Sequence, residues 1–292
     1  MLALFMLVVL AACGDPTPAP PPPAGPRLVA LSPAVAVMLR HLGREHEIVG
    51  RHASDLILDV AVPVCGDQHQ IDYEALVAAR PTHVFTQWGT RDLPERLRTL
   101  AAERGWVLHD CRLLTLDDVE RETHELDVLL VGNADGSPEG YGAVQRLHAA
   151  LRPRPELAGA GRVLLLAGVD PPAALGPGSF HHDMLVRLGA TPAITTGGVW
   201  QELALEDVRR IAPDVIVLIL PRSARTLPRG EREAPSLGKE AMARLGSLRA
   251  LDTSAIRQGR VVLIDDPLAH LPATSLTDVA EQIAEGLARL IP

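Results

Sequence analysis

Aromatic side chains are scarce in this 292-residue chain, with three Trp, three Phe and two Tyr, so the places where those eight rings fall are informative. Cysteine is rarer, three in all, and the 46-position separation of Cys65 and Cys111 matches no zinc-site spacing. Runs of basic residues are absent and the formal charge is −8, which argues against a nucleic-acid surface. Catalytic signatures are missing as well. No GxSxG elbow, no GxxxxGK[ST] loop and no GxGxxG after the first apolar run occurs, so no enzyme class is indicated. Compact metal motifs of the HxH or HExxH kind are also lacking.

No apolar run is long enough to span a bilayer; the opening "MLALFMLVVLAAC" suits the core of a signal peptide instead. It ends in Leu10-Ala11-Ala12-Cys13, which matches a bacterial lipobox, although no Lys or Arg precedes it. "GDPTPAPPPPAGP" follows, a Pro-rich tether that prefers extended conformations and cannot pack a core. Residues 1–12 therefore read as a lipoprotein signal, Cys13 as the lipidated terminus and 13–26 as the tether. The chain is expected to be exported and membrane-anchored, on the periplasmic or outer cell-surface side. An oxidising compartment would permit a Cys65–Cys111 disulfide; two separate buried thiols are the alternative.

From Arg27 onward, short apolar runs alternate with amphipathic stretches. "RLVAL", "EIVGR", "THVFTQ" and "WVLHD" read as strands; "PAVAVMLRHLG", "DYEALVAAR" and "DLPERLRTLAAERG" read as helices between them. Residues 115–158 hold no good strand and are mostly helical, interrupted by "GNADGSP", where a break or bulge is expected. Alternation then resumes to the end of the chain. The fold class expected is α/β: two Rossmann-like lobes with parallel-rich sheets, 27–114 and 159–292, joined by a long connecting helix in 115–158, with a ligand cleft between the lobes.

"RLVALSPAVAVMLRHLGREHEIVGR", "DYEALVAARPTHVFTQ", "GPGSFHHDMLVRLGA" and "WQELALEDVRRIAPDVIVL" together resemble the helical-backbone substrate-binding proteins of ABC importers, which serve cobalamin, haem and ferric siderophores. The resemblance covers nearly everything from Arg27 to Pro292, and the first half is most similar to the cobalamin branch. It implies two rigid lobes facing each other across a shallow cleft, a bulky ligand between them, and delivery to an ABC permease. It implies no enzymatic activity and no intrinsic cofactor. Family members carry a Glu on the first helix of each lobe to meet permease arginines. The matching positions here are read as Val37 and Val186, which puts docking in doubt.

Loops at the carboxyl ends of parallel strands build ligand sites. That rule selects Ser32, His52, Trp88 and His109 in the first lobe, and Phe180, His181, His182, Trp200 and His270 in the second. A flat macrocycle needs apolar, stacking walls with a few polar groups, which Trp88, Phe180 and Trp200 could supply. Trp88 packing over its own lobe is the plainer reading of that ring. His181 and His182 open a helix whose first turn points them about 100° apart, so they rarely chelate one ion together. Solvent exposure, contact with a macrocycle and axial coordination of its metal all remain open for them. The rival to a cobalamin, haem or ferric-chelate binder is a binder of a bare divalent ion through His52, His109, His181 or His182, and His270. A third reading is a binding or sensor protein that has lost permease docking.

Overall fold

The computed structural model describes residues 25–67, 69–89, 91–223 and 234–291. The apolar leader 1–12, Cys13 with nearly all of the tether, and the middle of the Pro- and Arg-rich stretch at 221–236 lie outside the described residues.

The first half builds one parallel sheet from β1 (Leu28–Ala30), β2 (Ile48–His52), β3 (Val64–Gly66), β4 (His83–Thr86) and β5 (Val107–Asp110). Their spatial order is β3-β2-β1-β4-β5 and every ladder is parallel, so all carboxyl ends leave the same edge. Helices α1 (Pro33–His41), α2 (Tyr73–Ala78) and α3 (Glu95–Arg104) make the crossovers. Ser32 starts α1 by accepting the Val35 amide at 3.4 Å, and Pro33 occupies the first turn, where a missing N–H costs nothing. Asp72 caps α2 in the same way, accepting from the Ala75 amide at 2.9 Å.

The connection is two helices, α4 (Leu116–Val131) and α5 (Pro138–Ala150), rather than the single long helix expected. Gly132 ends α4 in the left-handed region at φ 70°, and the chain turns back so that Glu120, early in α4, meets His148, late in α5, at 2.7 Å. The turn is held by Asp127, whose carboxylate accepts the Ser137 hydroxyl at 2.7 Å. Gly140 is required there: a Cβ on it would lie 2.1 Å from that carboxylate. The expected break at "GNADGSP" is therefore a hairpin.

The second half adds β6 (Arg162–Val169), β7 (Pro172–Leu175), α6 (Phe180–Arg187), β8 (Thr191–Pro192), β9 (Trp200–Glu202) and α7 (Leu205–Ile211). It continues through β10 (Val215–Ile219), β11 (Ser236–Leu237), α8 (Lys239–Ala243), α9 (Ser254–Arg257), β12 (Val261–Ile264) and α10 (Leu276–Ala288). The sheet order is β11-β12-β10-β6-β7-β9, with β8 paired to β6. Its centre, β12-β10-β6, is parallel, while β11 and β7 run antiparallel to their neighbours β12 and β6. The result is a mixed α/β molecule with a parallel sheet in one lobe and a mixed sheet in the other.

Side-chain alternation along the strands separates the core into layers. In the first sheet, Val29, Leu31 and Val84 face α2 and α3 with Leu76 and Leu97. In the second, Leu164, Leu166, Ile216, Leu218, Val261 and Leu263 face the side of α7, α8 and α9. The opposite faces share one core: Leu28, Ala30 and Phe85 of the first sheet and Val163, Leu165, Val217 and Ile264 of the second join a cluster filled by α1, α4, α5, α6 and α10. Leu147 and Ala150 of α5 belong to it, fully or almost fully buried. Across the same junction His41 of α1 meets the Thr274 hydroxyl at 2.6 Å, and Arg154 pairs with Glu281 at 2.8 Å.

Two expectations are corrected by this layering. Cys65 and Cys111 are free thiols and form no disulfide. They lie on β3 and just beyond β5, opposite edges of a five-stranded sheet, and belong to cores on opposite faces. Four strand spacings put them about 19 Å apart, far beyond bridging range. Val37 is 1% exposed inside the shared core, so it cannot present anything to a permease, whereas Val186 on α6 is 51% exposed.

Because Leu147 is enclosed by elements of both halves, Leu147→Ala is expected to lower stability by about 2–5 kcal/mol. Urea unfolding followed by Trp fluorescence and far-UV circular dichroism should remain one coincident transition. Separate transitions for the two lobes, or an unchanged midpoint, would contradict a shared core.

Candidate functional site

At the carboxyl edge of the first sheet the strand-end residues form a connected layer. The Ser32 hydroxyl meets Gln87 Oε1 at 2.7 Å, joining the loop after β1 to the loop after β4. Asp110, closing β5, accepts the Trp88 backbone amide at 2.7 Å, which fixes where that indole leaves the sheet. The ring is half-buried against the lobe's own outer core, and the Arg91 guanidinium lies 4.9 Å from its centroid. Trp88 thus belongs to the rim and packs over its own lobe at once. His52 is buried at the end of β2; its Nδ1 accepts the Ser54 amide at 3.0 Å, and burial lowers its pKa against the opposing charges of Asp67 and Asp55.

In the second lobe the glycine-rich loop follows β7, and β7 pairs with β9 so that Leu175 lies opposite Trp200. Gly176 is required by this approach: a Cβ on it would sit 2.4 Å from Gln201 Nε2 and 2.5 Å from the Gly198 carbonyl. Gln201 in turn donates to the carbonyls of Thr196 and Gly198 at 3.0 and 3.1 Å, shaping the turn that carries Val199 and Trp200 outward. Trp200 is 52% exposed and Val199 beside it 54%, a solvent-facing apolar pair.

Ser179 caps α6 by accepting the His182 amide at 3.2 Å, and the two histidines turn inward rather than into a gap. His181 is 1% exposed, and its Nε2–H donates to the Ala269 carbonyl at 2.7 Å. Phe180 packs tilted against it at 4.4 Å between centroids, and His270 meets it edge-on at 5.4 Å. Burial, resisted by the Ala269 hydrogen bond, drives its pKa from 6.5 to about 3, so the ring is neutral. His182 Nε2–H reaches the Ile194 carbonyl at 3.2 Å, on the other side of the helix. The pair therefore ties α6 to two different loops.

The structure brings Phe180, His181 and His270 into one cluster, sets Trp200 beside the glycine-rich loop, and links Ser32 to the loop that bears Trp88. It does not assemble His52, His109, His181 and His270 as a metal set. His52 and His109 stand on strands separated by three spacings, about 14 Å, in a lobe other than that of His181 and His270. His109 is turned instead to Glu122, at 3.0 Å. Sequence reading missed Arg91, Gln201 and Glu122, whose roles depend on partners that no local motif announces.

No protein-family model matches the chain, and no curated protein matches it by sequence. Solved structures do. The periplasmic heme-binding protein RhuT from Roseiflexus sp. RS-1 superposes with TM-score 0.65 at 17% identity, covering 92% of this chain and 100% of its own. The periplasmic heme-binding protein HutB of Vibrio cholerae gives 0.66 at 19%, covering 91% and 99%. The vitamin B12-binding protein BtuF of Vibrio cholerae gives 0.61 at 16%, covering 90% and 97%. The chain has the two-lobed fold of these periplasmic binding proteins. Among the described residues, no helix is long and apolar enough to cross a membrane.

Burial holds two imidazoles neutral in the native state: His181 near 3, and His41 near 4, the latter helped by Arg146 and Arg40. Both values lie below the unfolded 6.5, so the unfolded chain takes up protons that the folded chain refuses as pH falls. Stability contributed this way is complete above pH 6.5 and is lost on descending toward the folded values. Each group should steepen acid destabilisation by about 1.4 kcal/mol per pH unit between pH 6 and 4. Urea melts of His181→Gln against the parent should show that slope reduced by one group's share; an identical slope would contradict the buried neutral ring.

Proposed function

We propose that the chain is an extracytoplasmic solute-binding lipoprotein that captures a metal-containing macrocycle or chelate between its lobes for an ABC importer, with cobalamin ahead of haem or a ferric siderophore. The fold shared with haem- and vitamin B12-binding periplasmic proteins supports the class. The sequence supports the address: an apolar leader, Leu10-Ala11-Ala12-Cys13 and a Pro-rich tether describe a protein held outside a membrane by lipid on Cys13. In this reading 27–114 and 159–292 are the two jaws, and 115–158 sets their separation.

The observation that carries the ligand class is the exposed Val199–Trp200 pair beside a loop whose imidazoles are already engaged. An indole wall suits a broad, partly apolar guest. With His181 and His182 both bonded to backbone carbonyls, the guest best suited is one whose metal already has its ligands, which cobalamin satisfies. His270 is also tied to the Ile219 backbone but lies exposed at the edge of the cluster, so its second nitrogen is open to axial contact, and it keeps haem as the second choice. Trp88, Phe180, Trp200 and His270 are the ligand-facing set in this reading; Ser32, His52, His181 and His182 hold that set in place. Permease docking belongs to the proposal, with Val186 offering an apolar contact where the resemblance leads one to expect a carboxylate.

Titrating the protein with cobalamin, haem, a ferric chelate and zinc, each followed by Trp fluorescence, tests the reading. Cobalamin should quench saturably with one site, and Trp200→Ala should weaken it about tenfold or more, the equivalent of about 1.4 kcal/mol. Quenching by haem or the ferric chelate alone would move the ligand within the class. No response to any of the three, with zinc binding that His270→Asn abolishes, would overturn the proposal in favour of a bare-ion binder.

A further inference from the structure

His109, Cys111 and Glu122 bring one nitrogen, one sulfur and one oxygen donor together at the junction of β5 and α4, with the donor atoms all within 4.8 Å of one another. The geometry points to a structural site for a borderline divalent transition ion of the zinc type, at the carboxyl end of β5 on either side of Asp110, that fastens the edge strand β5 to the helix leaving the first lobe. The donors come from two elements. His109 lies on β5, and Cys111 follows it by two residues, so both project from the same face while Asp110 between them turns to the Trp88 amide. Glu122 comes down from α4.

The carboxylate is oriented before any ion arrives. Its Oε1 accepts the Arg112 amide at 3.0 Å and the Arg121 guanidinium at 3.1 Å, leaving Oε2 aimed at His109 Nε2, 3.0 Å away. Outer contacts of this kind are what orient metal ligands in built sites. Cys111 and Glu122 are buried, while the His109 side chain is 25% exposed and gives an approach from solvent. Bond lengths of about 2.0–2.3 Å in a tetrahedral site put donors roughly 3.3–3.8 Å apart, so the longest separation must close by about 1 Å, within reach of side-chain rotation. Mixed N, S and O donors suit zinc or cobalt and not magnesium or calcium, which take oxygen shells. Three protein ligands leave a fourth position for water.

The protons balance simply. Burial and the adjacent Glu122 and Asp110 raise the Cys111 thiol well above its ordinary range, so it enters as S–H and gives that proton to solvent when the S–metal bond forms. The imidazole N–H now directed at Glu122 is replaced by a nitrogen–metal bond as the ring takes its other neutral tautomer, with the proton on Nδ1, so the Cys111 proton is the one released.

The test uses the full chain, stripped with a chelator and titrated with cobalt(II). One equivalent should produce the visible bands of a four-coordinate ion together with a sulfur-to-cobalt charge-transfer band, and zinc should bleach both. Cys111→Ser should remove the charge-transfer band, while Cys65→Ser and His270→Asn should keep it. Glu122→Gln and His109→Asn should each weaken zinc, measured by competition with a coloured chelator, at least about tenfold. The parent spectrum alone is decisive, so the test does not depend on a variant folding. Absence of a sulfur-to-cobalt band at one equivalent, or its survival in Cys111→Ser, would overturn the site. Neither result decides macrocycle binding, which is read separately by Trp fluorescence.

Discussion

The inner faces of both sheets are closed by the same apolar cluster, and the rest of the architecture depends on that sharing. Leu28, Ala30 and Phe85 on one side lie under α1 and Val163, Leu165 and Ile264 on the other under α6 and α10, and α5 packs against both α1 and α10, so the two covers merge into one cluster. Parting the lobes would expose the leucines and alanines of α5 to water, at roughly 25 cal/mol for every Å² uncovered. A large apolar junction of this kind restrains relative motion, in contrast to the small polar interfaces that let domains swing. The gap between strand edges is then a fixed shape into which a guest fits.

Fixed shape also explains how the histidines are used. His41 at the lobe junction and His181 at the start of α6 are kept neutral by burial, and each donates or accepts one specific hydrogen bond. His52 accepts the Ser54 amide, and His182 reaches the carbonyl of Ile194. These rings set loop positions, while Trp200 and Val199 stay exposed as apolar surface. In the proposed function, recognition would rest on area and stacking more than on coordination, which suits a large ligand with its own metal chemistry.

The alternation of apolar runs and amphipathic stretches announced β1, β2, β4, β5, β6, β10 and β12 with their helices; all but the edge strand β5 are central and bury several of their residues, and β5 was marked by its place after an amphipathic helix and a glycine stop. The short strands at β3, β8, β9 and β11 escaped notice for the opposite reason: two or three residues at a sheet edge carry no period. Residues 115–158 were legible as helix, yet their fold-back depends on Asp127 meeting Ser137 and on Gly140 making room, a tertiary event with no periodic trace. The site divided likewise. The indole at Trp200 stood out by its rarity and its place after a glycine turn and is half exposed, whereas the inward turn of His181 and His182 is set by carbonyls at Ala269 and Ile194 that the sequence separates widely. Cys65 and Cys111 looked pairable only while the strand order was unknown. Once β3 and β5 occupy opposite edges, no bridge can form.

Rigid spacing of the two lobes is the claim from which the reading of the cleft descends, and a distance measured across it tests the claim most directly. Spin labels at Glu74→Cys on α2 and Arg210→Cys on α7, both exposed, in a Cys13→Ser chain whose two remaining cysteines are buried, report the separation by pulsed electron resonance. The account predicts one narrow distance distribution that cobalamin shifts by less than about 2 Å. A broad or two-component distribution, or a larger closing shift on adding ligand, would contradict it.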